Sequence, residues 1–315
     1  MNRSKVLVLL AGGSALGAGA LPARAQTGTK IRIAAPPVEA AAQVYYAREM
    51  GFFAKAGLDV DFQPMQSTSA TAAAMVSNFV DIGYGTLDTL AELHQKGIPL
   101  VGIAAGVEYV YPATQKTGAL VVPATSTAHQ AKDLNGKTIS TPSLHSLSTI
   151  VTSAWLDRNG GNSSSVKFVE VPFPAIPAAL DAGRIDAGYL AEPFITMAAQ
   201  TSRVLAYPFD ALPKHVLVSA WFTTRQWAAD HDTVVNQFAT VMSDTAAWAN
   251  KNPAQTADIL VKVAKMDPAI LARMTRSRYA QQLVPATMQP LIEVAAKYDG
   301  FSTFPAQELI YSPRR

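Results

Sequence analysis

The chain reads as an α/β protein of two βαβ-rich lobes joined by a hinge, with a ligand cleft between them. Three observations predict this. First, MVSNFVDIGY at Met75–Tyr84 returns about a hundred residues later as LDAGRIDAGY, ending at Tyr189. Asn78 aligns with Gly183, Asp81 with Asp186, Gly83 with Gly188 and Tyr84 with Tyr189. Each copy has the pattern of a helix end, a one-residue reversal and a short strand, and Gly or Asn suits the left-handed reversal. Second, the flanks of both copies alternate strand and helix, so one βαβαβ unit occurs twice. Third, roughly 290 residues after an export signal bury a large core and ordinarily divide into two domains.

The elements follow in order. Ile31–Ala34 is a strand, and a loop containing Pro36 and Pro37 follows it. Tyr45–Ala56 clusters Tyr45, Tyr46, Met50, Phe52 and Phe53 and stops at Gly57, which predicts one helix. Val60–Gln63 is a strand, and Ser67, Thr68 and Ser69 are hydroxyls suited to the start of the helix Ala70–Ser77. Val80–Tyr84 is a strand, Thr89–Lys96 a helix and Leu100–Ala105 a strand, in a mainly parallel sheet. The pattern breaks at Tyr109–Lys116, where the chain crosses between lobes.

Beyond the crossing, Ala119–Val122 and Thr138–Ser140 are strands, and Ser143–Ser148 opens a helix running to Arg158. Val166–Val171 is a strand, and Pro172, Pro174 and Pro177 lead into the helix Ile176–Ala182. Glu192-Pro193-Phe194 begins a helix to Gln200, Val204–Tyr207 is strand-like, and Val216–Thr223 is a strand approaching the return crossing. Val234–Asn250, Ala254–Ala264, Ala269–Arg276 and Pro290–Tyr298 are helices. The expected division is a signal at 1–25, a first lobe of 27–112 plus about 228–315, and a second lobe of about 117–225.

Arg3 and Lys5, an apolar run to about Ala20 and the Ala23-Arg24-Ala25 cleavage pattern make the first 25 residues a secretory signal. The chain has no cysteine, which excludes a lipid anchor through Cys, a disulfide framework, a thiolate metal site and a Cys nucleophile. The expected location is the periplasm, as an unanchored protein. The net charge of +3 is carried by Arg3, Lys5 and Arg24, and 23 basic and 23 acidic residues remain after the signal is removed. That balance argues against nucleic acid or an anionic membrane surface as a partner.

The five histidines are scattered, with no HExxH and no pair at helical spacing, so no metal is expected. There is no G-x-S-x-G, and Ser143, His145 and Ser146 have no third partner for a triad. No phosphate-cradling glycine loop occurs, and no cofactor is expected. The informative residues are hydroxyls at helix starts after parallel strands: Ser67, Thr68 and Ser69 in one lobe, Ser143 and Ser146 in the other. Ligands of open α/β sheets sit at the carboxyl ends of strands, where helix N-termini offer N–H groups and positive dipole ends. Tyr84, Gly85 and Thr86 lie at such an end, with Gly85 allowing close backbone approach, and Glu192 is placed comparably in the second lobe. Glu192 reads either as a helix-start acid or as an acceptor for a ligand donor. Trp221 reads as a core residue or an apolar wall near the hinge.

Longer phrases carry a family resemblance. Ala47–Val60 (AREMGFFAKAGLDV), Val80–Gly83, Asp133–Ile139, Ala179–Ala187, Glu192-Pro193 and Trp248–Pro253 occur together and in order. This combination resembles the solute-binding proteins of bacterial ABC importers in the nitrate/sulfonate/taurine group, with relatives that bind thiamine pyrimidine precursors. One departure is Asn78, where the family commonly has Gly. The resemblance covers nearly the whole chain after the signal. It implies the type II periplasmic-binding-protein fold, hinge closure over one small ligand and delivery to ABC permease transmembrane subunits. It implies ligand contacts at Pro37, Val38, Glu39, Ser67–Ser69, Tyr84–Thr86, Ser143, His145, Ser146 and Glu192. The expectation is a monomeric, non-enzymatic binding protein for a small organic anion, with an alkanesulfonate leading. The alternatives are an aromatic carboxylate, a pyrimidine or a ligand-sensing adaptor. A thiamine-pyrimidine synthase resembles the scaffold but carries a cysteine-rich motif that this chain lacks.

Overall fold

The structure is a computed structural model that describes residues 28–36, 38–65, 68–111 and 116–312. The expected export signal, Pro37 and Ser67 lie outside the described residues.

The first lobe starts with β1 (Thr29–Ala35), α1 (Gln43–Glu49), α2 (Phe52–Lys55) and β2 (Leu58–Pro64). The single helix expected over Tyr45–Ala56 is two, because Gly51 takes φ +70°, a left-handed turn that a right-handed helix cannot pass through. The restart turns Phe53 inward to stack on Phe238, with centroids 6.1 Å apart. Next come α3 (Thr68–Val76), β3 (Ile82–Thr86), α4 (Leu87–Gln95) and β4 (Leu100–Ala105), every residue of β4 being buried. β5 (Val107–Val110) then leaves for the hinge.

The second lobe contains β6 (Gly118–Pro123), β7 (Thr138–Thr141), α5 (Leu147–Arg158), β8 (Lys167–Glu170), α6 (Ile176–Asp181), β9 (Ala187–Ala191), α7 (Phe194–Ala198) and β10 (Ser202–Ala206). The return runs through β11 (His215–Leu217) and β12 (Ser219–Thr224). The chain closes with α8 (Arg225–Asp230), α9 (Asp232–Lys251), α10 (Pro253–Ala264), α11 (Pro268–Leu271), β13 (Arg278–Tyr279) and α12 (Pro285–Asp299).

Three sheets result: β2-β1-β3-β12-β4, β10-β6-β9-β7-β8, and the small hinge sheet β11-β5-β13. The sheets are less parallel than expected. β2-β1-β3 and β8-β7-β9 are parallel, but β12 runs antiparallel to β3 and β4, and β6 antiparallel to β9 and β10. The strand expected over Val216–Thr223 is also two strands in different sheets. β12 belongs to the first sheet, so Ser219–Thr224 is not part of the second lobe, and the return crossing lies near Val218 instead of about residue 225. Along β12, Trp221 and Phe222 point to opposite faces, as pleating requires, and each enters a different hydrophobic core. The helix expected over Ala269–Arg276 stops at Leu271. The N–H groups of Thr275 and Ser277 go to the side chains of Glu192 and Glu39 instead of to a helix ladder.

The internal repeat is a structural repeat. Asn78 and Gly183 both turn the chain with positive φ, +58° and +65°. Asp81 accepts from the backbone N–H of Arg32 at 2.7 Å, and Asp186 from that of Thr138 at 2.9 Å. Each Asp thereby ties the entry of its strand to the neighbouring parallel strand. Gly83 and Gly188 let a helix lie on the strand: a Cβ at Gly188 would meet Ile176 Cγ2 at 2.5 Å, and one at Gly83 would collide with Thr71. Among the described residues no helix is long and apolar enough to cross a membrane.

Candidate functional site

A cavity of about 370 Å³ opens between the lobes at the carboxyl ends of β3, β7 and β9. The first lobe contributes Val38, Glu39, Thr68, Ser69, Tyr84 and Thr86. The second contributes Ser143, His145, Ser146, Tyr189 and Glu192. The hinge adds Glu108, Tyr109 and Arg278. The helix-start hydroxyls of both lobes therefore face one space.

At α5 and α4 the hydroxyl in the N-cap position is not a simple helix cap. Ser146 holds the N-cap position of α5, but its hydroxyl accepts from no first-turn N–H. It bonds the carbonyl of Ser143 at 2.6 Å and lies 2.8 Å from Ser148 Oγ. Thr86 likewise holds the N-cap of α4 without a capping bond. The first turn of a helix has N–H groups with no intrahelical partner, and at α5 they lie beside the cavity. The α5 entry is shaped by His145, whose φ is +51°.

Tyr84 is held by a chain of bonds. Its hydroxyl lies 2.7 Å from Ser219 Oγ, which accepts from Val107 N–H at 2.8 Å, and its ring meets Trp221 edge-on at 5.1 Å. Burial pushes the Tyr84 phenol well above its ordinary range. Tyr189, its counterpart in the repeat, is raised by burial too, and its hydroxyl has no hydrogen-bond partner among the described residues. Tyr109 stacks on Phe209 with centroids 5.4 Å apart and donates to Asp210, joining the hinge to the second lobe.

The charges are arranged unevenly. Glu39 accepts from Arg276 Nε and from Ser277 N–H, both at 3.1 Å. Glu192 accepts from Thr196 N–H at 3.1 Å, Thr196 Oγ1 at 3.0 Å and Thr275 N–H at 3.1 Å. Glu108 accepts from Arg278 Nε at 2.7 Å and lies 2.8 Å from His215 Nε2. All three cavity carboxylates thus have partners within the protein. Arg278 spends only Nε on Glu108, so its terminal nitrogens have no hydrogen-bond partner among the described residues. Cations attract anionic groups most strongly where such donors are uncommitted.

Among the described residues, two expected site residues do not line the cavity. Trp221 is 0% exposed and packed under Tyr84, with Nε1 donating to Gln43 at 3.0 Å, so it is core. Gly85 is approached by Thr68 and Phe222, and its missing side chain serves helix packing and not ligand approach. Tyr109, Tyr189, Phe173, Phe209 and Arg278 line the cavity without having been expected. The repeat itself pointed to Tyr189 as the mate of Tyr84. Nothing in the spacing marked the others. Among the described residues no cluster of three His, Cys, Asp or Glu could hold a metal.

The NMT1/THI5-like family matches residues 39–256. No curated protein matches the chain by sequence. Among solved structures, the periplasmic aliphatic sulphonate binding protein SsuA of Escherichia coli is similar, with TM-score 0.75 and 16% identity over 91% of this chain and 93% of that one. The alkanesulfonate-binding protein SsuA of Xanthomonas axonopodis pv. citri, bound to MOPS, superposes with TM-score 0.69 and 18% identity over 90% and 95%. The periplasmic nitrate-binding protein NrtA of Synechocystis PCC 6803 gives TM-score 0.64 and 16% identity over 77% and 69%. The chain has the periplasmic-binding-protein fold, two lobes and a hinge, and by its sequence it belongs to the NMT1/THI5-like family.

Proposed function

We propose that this protein is the periplasmic solute-binding component of an ABC importer and captures a small organic anion between its lobes. One observation carries this reading: the hydroxyl-rich starts of α3 and α5 line a single cavity together with Arg278, whose terminal nitrogens have no hydrogen-bond partner among the described residues. A sulfonate or carboxylate head offers acceptors to those donors and negative charge to the helix ends. Contacts from both lobes exist only when they are together, so ligand shifts the population towards the closed form, which then docks on the permease as a monomer. The sulfonate-binding relatives support an alkanesulfonate as the first ligand to test.

A second ligand reading has its own support. Tyr84, Tyr109, Tyr189, Phe173 and Phe209 give the cavity a broad apolar body, which suits an aromatic carboxylate or a pyrimidine. A binding role fits better than catalysis. Ser143 Oγ and Ser146 Oγ bond backbone carbonyls, and neither pairs with His145, so no activated nucleophile is assembled.

The test is thermal unfolding of the chain from Gln26 against alkanesulfonates, taurine, nitrate, aromatic carboxylates and pyrimidines. A ligand at 100 times its Kd adds about 2.7 kcal/mol of stability. A shift with one sulfonate supports the leading ligand. A shift confined to aromatic carboxylates or pyrimidines moves the assignment to the second reading, and no shift with any anion overturns the organic-anion reading.

A further inference from the structure

We propose that Thr275–Arg278 is a strap between the lobes and that Glu192 is the positioning residue that holds the second lobe against it. The strap is anchored to the first lobe and ends in the hinge strand β13. Leu271, Met274 and Tyr279 around it pack with Ala42 and Tyr46 in one core. Glu39 fixes its centre by accepting from Ser277 N–H and Arg276 Nε, and Tyr279 donates its hydroxyl to the Glu39 carbonyl at 2.8 Å. Arg276 Nη2 also donates to Tyr46 Oη at 2.7 Å.

The other end is gripped from across the cleft. Glu192 follows β9 of the second lobe, is 7% exposed, and accepts from Thr275 N–H at 3.1 Å. A carboxylate taken out of water needs all its acceptors used, and one of the donors that Glu192 uses belongs to the opposite lobe. Separating the lobes breaks this charge-assisted bond, so it biases the hinge towards closure. Ser277 and Arg278, both lining the cavity, lie two and three residues beyond Thr275. The contact that brings the lobes together therefore also presents Arg278 to a ligand. Glu192 acts on binding through the strap.

The test requires no ligand, so its outcome is separable from that of the anion reading. The chain has no cysteine, so Phe79→Cys and Lys132→Cys place one spin label on an exposed position of each lobe. Pulsed electron resonance then reads the distance between lobes in the full chain from Gln26. Glu192→Ala is expected to move the distance distribution away from the parent's. Glu192→Gln keeps an acceptor for Thr275 and should restore it. Thr196→Val removes only a bond inside the second lobe and should leave the distribution unchanged. A parent-like distribution in Glu192→Ala, or an equal displacement in Thr196→Val, overturns the proposal. Amide hydrogen exchange gives a second readout on the unmutated chain, independent of whether variants fold. Thr275 and Ser277 amides should both be protected, and a Thr275 amide exchanging at the free rate also overturns the proposal.

Discussion

Asp88 gives the most quantitative prediction. It lies in the first turn of α4, is 1% exposed, and its Oδ1 has no partner among the described residues. Thr89 Oγ1 reaches Oδ2 only at 3.4 Å. Burial pushes its pKa from the ordinary 3.8 up to about 6, hydrogen bonds from Thr86 and Thr89 oppose the rise, and the charge of Asp299 adds to it. A buried acid with a raised pKa is held against its charged form. Below pH 3.8 both the folded and unfolded chains carry it protonated, and no cost arises. As pH rises towards 6 the unfolded chain ionises first and stability falls; above 6 the full cost is present. A gap of roughly two pH units corresponds to about 3 kcal/mol. Asp88→Asn removes that cost but adds an amide N–H needing an acceptor, a penalty of about 1 kcal/mol. The variant should be more stable than the parent by about 2 kcal/mol at pH 7 and less stable by up to about 1 kcal/mol at pH 4. Urea unfolding at pH 4, 5, 6 and 7, compared at equal m-value, measures the difference. A stability difference that does not change with pH, or that grows towards acid, refutes the reasoning.

Other substitutions test the scaffold and the cleft. Gly83→Ala and Gly188→Ala should each destabilise by about 1–3 kcal/mol, since the added methyl meets Thr71 in one lobe and Ile176 in the other; calorimetry decides. Arg278→Gln should weaken binding of an organic anion at least tenfold, because a charge-assisted bond is worth about 1.5–3 kcal/mol, and titration calorimetry reads the change. Ser143→Ala and Ser146→Ala should each reduce the same affinity without altering the response to an uncharged aromatic. Unchanged affinity in both would move the ligand's polar head away from the start of α5.

How much could be read in advance depended on what carries each feature. Asn78 and Gly183, with Asp81 and Asp186, mark backbone events: a left-handed turn and a tie to the neighbouring strand. Such events tolerate few residue types, so they stayed visible in the sequence. The places of Thr68, Ser69, Ser143 and Ser146 at the cavity were legible because the crevice of an α/β sheet lies at strand carboxyl ends. Arg278, Tyr109 and Phe209 were not. They come from crossing segments and a two-residue strand, where neither periodicity nor capping leaves a pattern. The split between β11 and β12 was hidden for a related reason. Val216–Thr223 is one uninterrupted β-forming run, and its change of sheet at Val218 depends on partners elsewhere, Val107 and Leu87. The early end of α11 is also a tertiary effect, with Glu39 and Glu192 taking the N–H groups that would extend it.

The two equivalent tyrosines now separate folding from binding. Tyr84 and Tyr189 occupy the same place in the repeat and both line the cavity, yet their hydroxyls differ. Tyr84 is tied to Ser219, and through it to Val107 at the hinge. Tyr189 is 6% exposed and has no hydrogen-bond partner among the described residues, and its hydroxyl packs directly against Gly118. A hydroxyl at a cavity wall with no protein partner adds no hydrogen bond to folding and is free to make one with a ligand. Tyr189→Phe should therefore leave the melting temperature of the free protein unchanged or slightly raised, while weakening ligand by roughly three- to tenfold, the value of one hydrogen bond. Tyr84→Phe should do the opposite, lowering stability by about 1 kcal/mol with little change in affinity. Unfolding and binding measured on both variants give a crossed pattern if the repeat has been divided between scaffold and ligand. Parallel losses in the two variants would mean that both hydroxyls serve the same structural end, and that the ligand's polar contacts lie only at α3, α5 and Arg278.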